Sequence, residues 1–193
     1  MRYSSPAYRC VLITGASSGL GLEYARQLAP SVGTLVLVSR RGEVLEGIAR
    51  ELITQHPQLA VKVFASDLSE ASDRSTLLGA LASADLRPDL LINNAGMGDY
   101  GEFRSSEWGK IGEMIRLNVE ALTHLSHALL PGLISEKGAI LNVSSLASIL
   151  PIPDFAVYAA TKAYVTSFSE ALCLEVRGDG VDVLAVCPGP VKT

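Results

Sequence analysis

Residues 10–21 read Cys10-Val11-Leu12-Ile13-Thr14-Gly15-Ala16-Ser17-Ser18-Gly19-Leu20-Gly21. An aliphatic run of strand character stops at a glycine-rich loop, and an amphipathic stretch begins at once. That order is strand, tight turn, helix start, the first half of a βαβ unit. Glycines let the backbone turn sharply and approach a pyrophosphate, while free N–H groups at the helix start and the helix dipole favour its charge. Gly15, Ser17, Ser18, Gly19, Leu20 and Gly21 are the expected cradle. The spacing is G-x-x-x-G-x-G rather than the commoner G-x-G-x-x-G, and a lone glycine loop also serves packing alone.

Outward from this loop the same alternation repeats along the chain. The apolar runs CVLITG, TLVLVS, VKVFAS, LLINNAG, AILNVSS and VDVLAVCPG are nearly continuous, as parallel strands covered on both faces must be. Helical patterns lie between them, near Leu20–Leu28, Glu43–Gln55, Ala71–Ala84, Ile111–Leu130 and Val157–Val176. Pro57, Pro88 and Pro131, with Gly33, Gly138, Gly178 and Gly180, fall at or near the junctions. The expected fold is α/β: a Rossmann-like doubly wound sheet of six parallel strands ordered 3-2-1-4-5-6 between two helical layers.

With 193 residues the chain suits one domain, expected to span 1–193. Apolar residues make up 48% and charged ones 19%, enough to bury a large interior. A net charge of -4 and the lack of any Lys/Arg-rich run argue against nucleic acid. No secretory leader or bilayer-length apolar run is seen, so a cytoplasmic protein without a membrane partner is expected. Cys10, Cys173 and Cys187 are odd in number and set among aliphatic residues, which suits reduced thiols. His124 and His127 share a helix face without a third ligand, so no metal is expected.

Further motifs follow in order: Asn93-Asn94-Ala95-Gly96 after the fourth strand, Ser144-Ser145 after the fifth, Tyr158-Ala159-Ala160-Thr161-Lys162 on a helix, and Pro188-Gly189-Pro190-Val191 after the sixth. Together with the T-G-x-x-x-G-x-G loop, they resemble the short-chain dehydrogenase/reductase family over nearly the entire chain. The resemblance implies hydride transfer between a nicotinamide cofactor and a carbonyl or alcohol substrate.

An NAD enzyme is expected to carry an Asp or Glu at the end of strand two, against the ribose hydroxyls. This chain has Ser39-Arg40-Arg41. A guanidinium pairs with a 2′-phosphate, so Arg40 points to NADP(H), with Ser17 and Arg41 as helpers; the alternative is a solvated helix start. Asp67-Leu68 resembles the family's adenine contact, although Asp67 also suits a helix N-cap. Asn94, Ala95 and Gly96 are expected along the nicotinamide ribose, although either asparagine can simply stabilise the strand end. Pro188, Gly189 and Val191 complete the expected cofactor contacts by resemblance.

Tyr158 and Lys162 stand four residues apart on a helix and project from one face. A free phenol has a pKa of about 10, and a nearby ammonium favours its ionised form. By resemblance, Tyr158 is the general acid in reduction and the base in oxidation, and Lys162 tunes it and holds the nicotinamide ribose. The same resemblance implies that Ser145, thirteen residues before Tyr158, hydrogen-bonds the substrate oxygen; Ser144 is its rival, because alternation lets only one face the site. Asn118 matches the family's helix asparagine, which supports a water-linked proton path to the lysine; the alternative is a satisfied core or surface amide.

The chain ends at Thr193 in the Pro-Gly loop, whereas family members continue into a substrate-covering segment and a seventh strand, so both are expected to be absent here. Leu150-Pro151-Ile152-Pro153-Asp154-Phe155 suggests a hydrophobic ketone, and Tyr100, Phe103 and Trp108 receive no role. A homodimer or homotetramer is expected on resemblance. Two rival functions remain: a catalytically silent NADP(H)-binding sensor or scaffold, and epimerase or dehydratase chemistry on the same fold.

Overall fold

The computed structural model describes residues 8–190. Six strands, β1 (Cys10–Thr14), β2 (Thr34–Ser39), β3 (Ala60–Ala65), β4 (Leu90–Asn93), β5 (Ala139–Val143) and β6 (Asp182–Val186), form one sheet in the order β3-β2-β1-β4-β5-β6. Every pairing is parallel, in keeping with the apolar runs and the crossover helices between them. The expected strand order is therefore the observed one.

Alternation within the strands separates two cores. Val11, Ile13, Leu35, Leu37 and Ile92 point to one face, under α1 (Gly19–Leu28) and α2 (Gly42–Gln55). Leu12, Val36, Val38, Leu91 and Ile140 point to the other. That second face is covered by α3 (Ala71–Ser83), α5 (Leu122–Glu136) and α6 (Ala156–Val176), through residues such as Leu77, Leu125 and Leu172. Right-handed crossovers impose the division, because the chain steps leftward from β1 to β3 and rightward from β4 to β6. Each fully buried leucine in these layers contributes about 2 kcal/mol of hydrophobic transfer.

Three details differ from the sequence reading. Covering on both faces holds for the central strands only: β3 has exposed Ala60, Lys62 and Ala65 beside half-buried Val61, Val63 and Phe64, and Leu184 in β6 is exposed. Both strands lie at the edges of the sheet that the described residues form. Pro131 does not end its helix, which runs on to Glu136 and stops where Lys137 enters the left-handed region at φ +49° and the Gly138 N–H bonds back to the Leu133 carbonyl.

The helix expected over Ile111–Leu130 is longer and interrupted. It comprises α4 (Trp108–Ile115), a π-helical turn over Arg116–Ala121, and α5. Asn118 lies inside the widened turn. Such a turn redirects the side chains and backbone groups within it, and it commonly marks functional positions.

Candidate active site

A cleft of about 1100 Å³ opens along the carboxyl ends of the strands, across the point where β1 and β4 adjoin and the chain reverses its direction of winding. At one end are the glycine loop, Ser39, Arg40, Arg41, Ser66, Asp67 and Leu68; at the other are Ser145, Tyr158, Lys162, Pro188 and Gly189. Asn94, Ala95 and Gly96 form the wall between them. Gly21 and Asn118 are not on the cleft surface, and Val191 lies outside the described residues.

The glycine loop is shaped by contacts that a side chain would destroy. Gly15 has φ +66°, and a Cβ there would lie 2.8 Å from the Asn94 amide nitrogen and 2.9 Å from the Ala95 Cα. At Gly21 a Cβ would meet the Gly15 carbonyl oxygen at 2.4 Å. Gly21 thus lets α1 close against the loop, while Gly19 opens the helix with φ +54°. Thr14 ties the loop to β4: its hydroxyl accepts from the Asn94 and Ala95 N–H groups at 3.0 and 2.9 Å.

Both strand-end asparagines use their amides structurally. Asn94 Nδ2 donates to the Thr14 and Gly15 carbonyls, and Asn93 Nδ2 to Ser126 Oγ and Asn142 Oδ1. What the wall offers the cleft is therefore the surface of Asn94, Ala95 and Gly96 left beside those bonds.

The two arginines after β2 are engaged differently. Arg40, 60% exposed at its side chain, reaches Glu113 at 3.0 Å and Asp67 at 3.7 Å. The Arg41 guanidinium lies over the glycine loop, donating to Ser17 Oγ at 3.0 and 2.8 Å and to Ser18 Oγ at 2.7 Å. Sequence reasoning ranked Arg41 as a helper; the fold gives it the nearer position to the phosphate-binding loop.

Asp67 is not an N-cap. Its Oδ1 accepts from the Ser69 N–H and hydroxyl, while α3 begins at Ala71 after Glu70. Burial raises the Asp67 pKa, but the Ser69 bonds and the Arg40 charge outweigh that cost and hold it below its ordinary value. Beside it the Ser66 hydroxyl is buried without a partner on the cleft wall. An orphaned hydroxyl, two guanidinium groups at the cleft edge, and a loop with no room for side chains together fit the adenosine and phosphate half of a dinucleotide.

At the reacting end Ser144 and Ser145 part company. Ser144 Oγ is buried and donates to the Lys162 carbonyl, which commits it to α6. Ser145 Oγ accepts from the Ala147 N–H and leaves its own proton available to the cleft. Lys162 is only 5% exposed; its Nζ donates to the Val143 carbonyl at 2.8 Å and lies 5.8 Å from the Tyr158 ring centre. Burial lowers the Lys162 pKa to about 8. Gly98 lies against the Tyr158 ring, where a Cβ would be 3.2 Å from Cδ2.

Asn118, buried behind the cleft, bridges two of its parts. Its Oδ1 accepts from the Met97 N–H at 2.9 Å, and its Nδ2 donates to the Met97 carbonyl at 2.8 Å and to Thr161 Oγ1 at 3.0 Å. One amide thereby joins the 95–98 wall to the helix of Tyr158 and Lys162. His124 Nδ1 accepts from the Arg74 guanidinium at 3.2 Å. Among the described residues no cluster has the makings of a metal site, and no helix is long and apolar enough to cross a membrane.

A family model described as short chain dehydrogenase matches residues 9–193. The chain is 37% identical over 190 residues to a sulfoacetaldehyde reductase of Chromohalobacter salexigens, covering 95% of this chain and 73% of that protein. It is 35% identical over 177 residues to a very-long-chain 3-oxoacyl-CoA reductase of Laccaria bicolor, covering 89% of this chain and 52% of that relative, about half its length. A solved short-chain dehydrogenase from Sphingobium yanoikuyae in complex with NADPH superposes with a TM-score of 0.88 at 38% identity, over 94% of this chain and 71% of that one. The match runs through every strand of the sheet, and the chain belongs to the short-chain dehydrogenase/reductase family of nicotinamide-dependent oxidoreductases.

Proposed function

We propose that this protein interconverts a ketone and a secondary alcohol with NADP(H), Tyr158 acting as general acid and base. The carrying observation is the shared cleft: Tyr158 and a buried Lys162 line one end of it, and the glycine loop with Arg40 and Arg41 lines the other. An NADPH complex of a relative at 38% identity supports the same cofactor.

The cofactor, when bound, supplies or accepts the hydride. Arg41, with Arg40 and Ser17, holds the 2′-phosphate, and Asp67 and Leu68 meet the adenine. Ser145 Oγ donates a hydrogen bond to the substrate oxygen as negative charge grows there. In reduction Tyr158 Oη gives its proton to that oxygen, and in oxidation it takes the proton back. Lys162 stabilises the phenolate through its charge and holds the nicotinamide ribose. Asn118 keeps the wall and the catalytic helix in register and, through its turn, supports the water-linked path to Lys162.

Met97, Leu150, Ile152 and Phe155 line the reacting end, which suits a hydrophobic carbonyl compound. A homo-oligomer formed through the helices after Ile111 and Val157 belongs to the same proposal, supported by exposed Ile115 and Tyr164 on them. The deciding assay follows NADPH absorbance with varied ketones, on a preparation of measured intact mass. Tyr158→Phe should lower turnover by about a thousandfold while NADPH affinity stays within about twofold. Wild-type rates in that variant would overturn the mechanism.

A further inference from the structure

Arg74 is the largest side chain among the fully buried ones, 2% exposed, and the site chemistry described above makes no use of it. Its guanidinium satisfies three acceptors. Nη1 donates to the Leu68 carbonyl at 2.8 Å, Nε to His124 Nδ1 at 3.2 Å, and Nη2 pairs with the Glu120 carboxylate. Leu68 belongs to the adenine end of the cleft, Glu120 to the π-helical turn that holds Asn118, and His124 to the following helix.

The preceding residue works on the same loop. Asp73 Oδ2 accepts from the Asp67 N–H at 3.0 Å, so two successive residues of α3 grip two successive residues of the cleft wall. Burying a guanidinium is costly, and a well-packed apolar side chain commonly does as well for stability. A buried arginine that spends a donor on one loop carbonyl is better explained by what that carbonyl's placement secures.

We infer that Arg74 is a positioning residue for cofactor recognition: by fixing the Leu68 carbonyl against the Asn118 turn, it sets the shape of the adenine pocket. The inference rests on the proposed NADP(H) site. It predicts a selective effect, because the nicotinamide half of the cleft is built from the 95–98 wall and α6, and the Arg74 hydrogen bonds go to Leu68, Glu120 and His124 instead.

Binding measurements with three probes test this: NADPH, adenosine 2′,5′-bisphosphate and reduced nicotinamide mononucleotide. Arg74→Met should weaken NADPH and the bisphosphate roughly tenfold and leave the mononucleotide within about twofold. Arg74→Lys should recover part of the loss, since an ammonium can serve the carbonyl but not all three acceptors. Unchanged bisphosphate affinity, or equal losses for bisphosphate and mononucleotide, would overturn the role. Should Arg74→Met fail to fold, Glu120→Gln at the half-exposed end of the pair carries the test. It should weaken the bisphosphate several-fold with the mononucleotide unchanged, and no change would overturn the role. A wild-type protein that binds no NADPH would instead sink the proposed function, and this inference with it.

Discussion

Gly96 stands directly over the Lys162 amine: a Cβ on Gly96 would lie 3.2 Å from Nζ and 3.2 Å from Asn118 Oδ1. Neither neighbour is free to retreat. Nζ is held by the Val143 carbonyl and Asn118 by Met97 and Thr161, both side chains being buried. One absent methyl group therefore lets the wall approach the amine and the Asn118 amide this closely.

Gly96→Ala should accordingly lower kcat/KM roughly tenfold or more, because small misplacements at a reacting centre are costly. The melting temperature should fall by only a few degrees, on the order of 1 kcal/mol. Steady-state kinetics beside a thermal melt would show it. A variant that melts far earlier with its catalytic rate intact would contradict this reading of the contact.

Arg41 should matter more than Arg40 for telling NADPH from NADH. Arg41 already lies against Ser17 and Ser18, whereas Arg40 is drawn to the Glu113 and Asp67 carboxylates. Arg41→Ala is expected to raise the KM for NADPH about tenfold or more with little change for NADH. Arg40→Ala should give a smaller change in the same direction. The ratio of kcat/KM for the two cofactors in each variant decides the order, and a larger effect at Arg40 would reverse it.

Lys162 makes stability depend on pH in a calculable direction. Its folded pKa of about 8 lies below the ordinary lysine value of 10.5, with burial as the cause. Between those two values the unfolded chain still binds a proton that the folded chain has lost, so stability from this group rises with pH. Below pH 8 both states are protonated, and the folded one carries the full burial cost.

The comparison to make is with Lys162→Met, in which the other titrating groups are retained. From pH 8 to 10.5 the ligand-free wild type should gain up to about 3 kcal/mol relative to the variant. Denaturant unfolding across that range measures it. A constant difference between the two proteins would mean that the amine is not buried as described.

Read as a string, the chain already carries its fold. Continuous apolar runs separated by helical periods dictate parallel strands covered by helices, and the handedness of crossovers then permits few orders, of which 3-2-1-4-5-6 is the one found. Tyr158 and Lys162 were legible for the same reason, since a spacing of four places both on one helix face. Local periodicity is written in the order of residues, and these features depend on little else.

The choices between neighbours were not legible there. Ser144 and Ser145 differ only in which one α6 engages, Arg40 and Arg41 only in which one finds the loop serines, and Arg74 gives no local sign of its burial. Each is settled by groups far along the chain, such as Leu68 and Glu120 around Arg74 or Met97 and Thr161 around Asn118. Hydrogen bonds made across such separations exist only after the sheet has brought its strand ends together, so packing, and not periodicity, decides those contacts.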